Sequence, residues 1–170
     1  AISTIVARTL KKAGIDSQQM KNLISKSIFI KNDFVQKDPN EKELRKALNF
    51  GHTVGHAIES FLIDEKRPVL HGIAVAYGML AEAYLSHLKL ALDKNDLEEI
   101  SESIRRKYGT LKLDESSFEK LYQLMQHDKK NEQDKILFTL ISEIGTVSIN
   151  ETCAKEQVFE ALSYLKEQLS

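Results

Sequence analysis

Tryptophan is absent from this 170-residue chain, cysteine occurs once, proline twice and glycine only seven times. Each scarcity excludes something. A single thiol, Cys153, cannot close an intrachain disulfide, so no disulfide framework stands in for a core. Among polar residues before the last helical stretch, it reads as an incidental thiol. So little glycine and proline argues against a loop-rich or all-β fold and suits long helices. Charge of one sign is also lacking: 24 basic residues oppose 25 acidic ones, for a formal net charge of −1. No overall basic field draws nucleic acid or an anionic membrane. No apolar run reaches the ~18 residues that suggest a membrane span, and no signal-peptide pattern is present. The expectation is a cytoplasmic protein with no nucleic-acid or membrane partner, long enough to bury one domain core.

What is present is helical periodicity. Residues 2 to 12 read as a short helix, with Gly14 as its cap and Asp16 or Ser17 opening the next. From about 17 to 36, Met20, Leu23, Ile24, Ile28 and Val35 follow the spacing of one buried face. Pro39 breaks that helix, and a third is expected to run on to about residue 63. "VLHGIAVAYGMLAEAYLSHLKLAL" is apolar around most of its circumference and rich in small residues, as suits the centre of a bundle. Helices near 94–107, 115–126 and 154–168 follow, with "KILFTLI" and "TVSI" as a hairpin between the last two. The predicted fold class is mainly α, a multi-helix bundle with a small β-hairpin near the C-terminus, with residues 1–170 as one unit.

The chemistry lies in "NFGHTVGHAIES", residues 49 to 60. Residues four apart share a helix face, so His52 and His56 can point into one site. Two readings stand open, a paired-histidine metal site and a buried structural pair. Zinc takes three or four ligands, and Thr53-Val54 follow His52 where the metalloprotease pattern has glutamate next. His71, just before the central apolar helix, strengthens the metal reading, because a helix N-terminus leaves N–H groups free for an anion or polar ligand. His87 and His127 read as surface or packing residues.

Three stretches carry a family resemblance: "KSIFIKNDFVQKDPNEKELRKALNFGHTVGHAIES", "RPVLHGIAVAYGMLAEAYL" and "HDKKNEQDKILFTLISEIG". Over about residues 23 to 145 the chain resembles the C-terminal helical domain of the 3-dehydroquinate synthases, and "LNFGHTVGHAIE" is its most specific text. The resemblance implies that His52 and His71 are zinc ligands, with cobalt a possible substitute, and that His56 is an acid/base residue. It implies a second proton acceptor at Glu41 and substrate contacts at Lys31, Arg45, Asn49 and Lys129, with Lys130 the alternative to Lys129. Arg45 and Asn49 are expected to face as His52 does, at helical offsets of seven and three. Gly51, Gly55 and Gly72 are expected to let substrate or backbone approach, and simple helix packing serves equally well for Gly55. A third zinc ligand, a glutamate, is expected before residue 1, as is the NAD-binding domain, since no strand with a phosphate-binding glycine turn is visible. The chain is thus expected to be a C-terminal domain of an enzyme about twice as long, inactive alone.

The implied activity is that of a carbon-oxygen lyase in the shikimate route to aromatic amino acids. It converts 3-deoxy-D-arabino-heptulosonate 7-phosphate to 3-dehydroquinate and phosphate, with bound NAD regenerated and a homodimer as the assembly. The alternatives are another sugar-phosphate cyclase, such as a 2-deoxy-scyllo-inosose or aminodehydroquinate synthase, and a non-catalytic helical interaction domain. Polyol dehydrogenases such as glycerol dehydrogenase fit the text less well. Two departures stand out: Glu43 replaces a glycine of many members, and Ile73 an acid that would lie beside His71.

Overall fold

Helices dominate the computed structural model, which describes residues 17–127 and 135–170. The expected first helix and the lysine candidates Lys129 and Lys130 lie outside the described residues. The chain divides into two units, residues 1–45 and 46–170.

In the first unit, helix α1 spans Ser17–Lys37. Its apolar spacing predicts a buried face, but Leu23, Ile24 and Ile28 are exposed, together with Phe29 and Ile30. Among the described residues of this unit α1 has no second helix to pack on, so the stripe is left open. A loop follows, then a 3-10 helix, Leu44–Asn49, that crosses the division between the units.

The second unit contains helices α2 (His52–Asp64), α3 (His71–Leu90), α4 (Lys94–Tyr108), α5 (Phe118–Gln126) and α6 (Lys155–Leu169). Strands β1 (Phe138–Glu143) and β2 (Thr146–Glu151) pair antiparallel before α6. This is the expected mainly α fold with its C-terminal hairpin. The continuous helix predicted up to residue 63 is not formed. The 3-10 segment ends at Asn49, Gly51 turns the chain through the left-handed region at φ 82°, and α2 begins afresh at His52. The helical offsets linking Arg45 and Asn49 to His52 therefore do not apply.

The core explains the order of the elements. α3 is buried along nearly its whole length, with Ala74, Leu80, Ala81, Ala83 and Leu85 fully enclosed. It packs against α2, α4, α6 and β1. Ile58 and Leu62 of α2, Leu121 and Met125 of α5, and Leu162 and Leu165 of α6 complete one apolar cluster. β1 buries four successive residues instead of alternating. The polar member, Thr139, donates its hydroxyl to the carbonyl of Lys46, so that side of the strand is covered too. Ser86 of α3 presents its hydroxyl oxygen to the Ile141 N–H at 3.0 Å, tying strand to helix. Cys153 packs partly buried at the edge of the core, and burial pushes its thiol pKa up to about 11, which suits an inert thiol. No helix among the described residues is long and apolar enough to cross a membrane.

Glycine makes the α2–α3 contact possible. A Cβ on Gly78 would sit 2.0 Å from the Gly51 carbonyl oxygen and 2.5 Å from the Gly55 nitrogen. A Cβ on Gly55 would sit 2.9 Å from the Val75 Cα. Gly55 therefore serves helix packing. Gly72 has nothing within 4 Å of its would-be Cβ, so no backbone approach requires it. We expect Gly78→Ala to cost about 3 kcal/mol or more, the upper range for forced overpacking. Gly72→Ala should be neutral or stabilise by up to about 1 kcal/mol, through helix propensity. Urea unfolding followed by circular dichroism measures both, and equal stability of the two variants would contradict the close-crossing account.

Candidate metal centre

The site in the second unit grows from two helix starts. His52 is the first residue of α2 and His71 the first of α3, while His56 stands one turn along α2. α2 turns Val54, Ala57, Ile58, Phe61 and Leu62 inward, which leaves His52, His56 and Glu59 on the opposite stripe. The connection from α2 to α3 folds back tightly, with the Arg67 N–H donating to the Leu62 carbonyl at 2.8 Å. This return sets His71 beside the α2 stripe.

The three imidazoles form a nearly equilateral triangle, with ring centroids 5.4, 5.7 and 5.6 Å apart. One ligand atom from each lies within 4.8 Å of the other two. Nitrogen ligands on one zinc ion sit about 2.0–2.1 Å from it, hence no more than about 4.2 Å from each other. Small side-chain rotations bring the triangle to that size, so these residues fit a divalent ion that favours nitrogen ligands. His52 and His56 are half-buried and His71 is exposed, so the site opens outward. The His52 Nδ1 lies 3.4 Å from the Phe50 carbonyl oxygen, and the His71 Nδ1 lies 2.9 Å from a Glu59 carboxylate oxygen. In each ring an N–H donated from Nδ1 leaves the Nε2 lone pair for a metal.

Two carboxylates support this centre, and the sequence reading singled out neither. Glu82 of α3 is fully buried, and its oxygens accept the N–H of Gly51 at 2.6 Å and of Val54 at 3.1 Å. These are orphan donors of the first turn of α2, where a negative charge also meets the favourable end of the helix dipole. Glu82 thus caps the helix that carries His52 and His56. Its signal was visible as a lone acid inside an apolar helix. Glu59 could have been found seven residues after His52 and three after His56, the spacing of one face. Ile73, where an acid was expected beside His71, packs partly buried against the core. The carboxylate against His71 comes from α2 instead. His87 is half-buried, with its Nδ1 2.6 Å from the Leu92 carbonyl oxygen, and His127 is exposed.

In the first unit, Glu41 and Arg45 come together, Nε to carboxylate at 3.6 Å, in a partly exposed pair of modest strength. Glu41 holds a left-handed backbone at φ 53°, unusual for a residue with a side chain. It is not the helix-start acid its position suggests. Asp38 organises this loop, since its carboxylate accepts the backbone N–H groups of Lys42, Arg45 and Glu43 at 3.0, 3.0 and 2.8 Å. Lys31 is an exposed residue of α1, and Asn49 closes the 3-10 helix.

Two solved structures share the fold. One is 2-deoxy-scyllo-inosose synthase with carbaglucose-6-phosphate, NAD+ and Co2+ bound, at TM-score 0.73 and 23% identity over 89% of this chain and 43% of that one. The other is 2-epi-5-epi-valiolone synthase from Streptomyces hygroscopicus with NAD+ and Zn2+, at TM-score 0.62 and 20% identity over 79% of this chain and 37% of that one. The helical fold is therefore one found in these two synthases. The family is narrower: the 3-dehydroquinate synthase C-terminal model matches residues 3–131, and the chain belongs to that family. The 3-dehydroquinate synthase of Parabacteroides distasonis is 43% identical over 87% of this chain, and that of Corynebacterium diphtheriae 36% over 89%. The chain spans about two fifths of the length of these relatives, 42% and 41%.

The Asp38 loop gives a pH test. Hydrogen bonds from Lys42, then Arg45 and Glu43, hold its carboxyl pKa below the ordinary 3.8. A depressed carboxylate stabilises the fold above its unfolded pKa, and that contribution disappears as pH falls through the lowered folded value. We expect the amide resonances of Lys42, Glu43 and Arg45 to titrate together with a midpoint below 3.8, and Asp38→Asn to abolish that titration. A midpoint at or above 3.8 contradicts the bonding described.

Proposed function

We propose that this chain is the metal- and substrate-binding part of a 3-dehydroquinate synthase. The reaction assigned to the longer enzyme converts 3-deoxy-D-arabino-heptulosonate 7-phosphate to 3-dehydroquinate and phosphate. The observation that carries this reading is the triangle of His52, His56 and His71 in a chain of that family. His52 and His71 are the proposed ligands of zinc, or of cobalt in its place, as the family resemblance implies, and each has an acceptor against Nδ1. When bound, such a metal would supply Lewis-acid polarisation of a substrate hydroxyl, and NAD, held by sequence outside this chain, would supply the hydride acceptor. His56 is proposed to move protons beside them, as an imidazole can near neutral pH.

Glu41 is the proposed second proton acceptor. Lys31, Arg45, Asn49 and Lys129 are proposed to hold the substrate's phosphate and carboxylate, which need cationic or N–H partners once removed from water. The reading includes a cytoplasmic homodimer that turns over only as the longer enzyme. Another sugar-phosphate cyclase remains the second reading, favoured by the fold shared with 2-deoxy-scyllo-inosose synthase. Turnover of 3-deoxy-D-arabino-heptulosonate 7-phosphate against glucose 6-phosphate decides between them.

Calorimetric zinc titration of the chain tests the ligand set. His52→Ala and His71→Ala should each abolish saturable binding, whereas His56→Ala should leave it within about threefold, since only the first two are proposed ligands. An equal loss in His56→Ala would make the site a three-histidine one and remove His56 from proton transfer. In the longer enzyme, Arg45→Ala should lower phosphate release by about 10–100-fold, the worth of one charge-assisted hydrogen bond, at unchanged zinc content. Full activity in that variant would take Arg45 out of the substrate site.

A further inference from the structure

Helix α2 carries its metal-facing residues on one stripe at spacings of four and three, His52, His56 and Glu59. The third differs in kind from the other two. Glu59 reaches across to α3 and sets one carboxylate oxygen 2.9 Å from the His71 Nδ1. His71 needs an outside hold. It opens α3 directly after Leu70, which is extended and offers no side-chain cap, and its own side chain is 53% exposed. Glu59 is better seated, at 26% exposure on a helix whose opposite face is buried in the core.

From this geometry we infer that Glu59 is a positioning residue for the metal, which acts by accepting the His71 Nδ1–H and so fixing both the ring orientation and the tautomer that leaves Nε2 as ligand. The inference rests on reading His71 as a ligand. The physical reason is general. An imidazole in water favours no single orientation, and a carboxylate partner on the far nitrogen removes that freedom before the ion arrives. His52 obtains a weaker version of the same service from the Phe50 carbonyl at 3.4 Å.

The contact also links the two helices at the site. Between α2 and α3 runs a return of six residues, 65 to 70, and Leu70 at its end is exposed. Glu59 and His71 bridge the mouth of that return from both sides. Loss of the carboxylate would thus leave the core intact while freeing the ring.

The test has two readouts. Nitrogen-15 spectra of the metal-free chain at neutral pH, with His71 assigned through His71→Gln, report which ring nitrogen bears the proton. Zinc titration gives affinity. In the unsubstituted chain His71 should be the Nδ1–H tautomer. In Glu59→Ala it should become mostly Nε2–H, and zinc affinity should fall about 10–100-fold, the usual effect of removing such a partner. Glu59→Gln, which keeps an acceptor oxygen, should retain the Nδ1–H tautomer and lose less affinity. Circular dichroism and urea midpoints should be unchanged in both, as expected for a residue at the rim. An Nε2–H tautomer in the unsubstituted chain, or a tautomer unaffected by Glu59→Ala, overturns the inference. If the tautomer responds as stated while neither the unsubstituted chain nor the longer enzyme takes up zinc, the metal reading of His71 fails and the hold of Glu59 on the ring stands.

Discussion

No side chain fits where Gly51, Gly55 and Gly78 meet, and the second unit is arranged around that fact. α2 and α3 approach until a single added methyl carbon would overlap a carbonyl oxygen and a backbone nitrogen. Contact this close loses adaptability and gains definition, because backbones pressed together have few alternative registers. It also creates a polar problem, since the first N–H groups of α2 are buried against α3. Glu82 answers it from within α3, four residues beyond Gly78, by accepting from Gly51 and Val54. The glycines and the carboxylate form one device: glycines let the helix start come in, and the carboxylate satisfies what would otherwise be stranded.

The histidines inherit their positions from that device. His52 follows directly on the capped glycine, so the turn that needs φ 82° at Gly51 also aims its ring. His56 repeats the direction one turn later. His71 arrives from the other partner in the crossing, after a return short enough to keep both helix starts together. Three imidazoles with centroid separations all between 5.4 and 5.7 Å thus arise from two helices, without any long loop to hold them. Sites built on rigid elements keep their spacing when empty, and a metal centre needs this, because ligand distances are tight.

Much of the fold was legible because it rests on local periodicity. α1, α4 and α6 appear within one residue of their predicted bounds and the hairpin strands within three, and the crowding of small residues in α3 correctly marked the centre of the core. The break at Gly51 was not legible. "RKALNFGHTVGHAIES" reads as an unbroken helix, since the apolar spacing runs on across the break and carries no sign that Gly51 takes a left-handed conformation. The buried face predicted for α1 failed for a related reason. Periodicity shows that a helix has an apolar face, whereas what covers that face is a matter of tertiary partners. Within the site, histidines announce themselves by scarcity. Glu59, Glu82 and Asp38 do not, because acids are common and their roles depend on neighbours distant in sequence, such as Glu82 meeting Gly51.

Glu82 and Glu59 show how one residue type divides between stability and chemistry by depth alone. At zero exposure, Glu82 is bound by backbone N–H groups, which cannot move without moving the helix, so its effect on the site is geometric and constant. Glu59 stands at the rim and is bound by a side chain that can rotate. A partner of that kind orients the ring without immobilising it. The core carboxylate sets where α2 begins, and the rim carboxylate lies against the ring that opens α3.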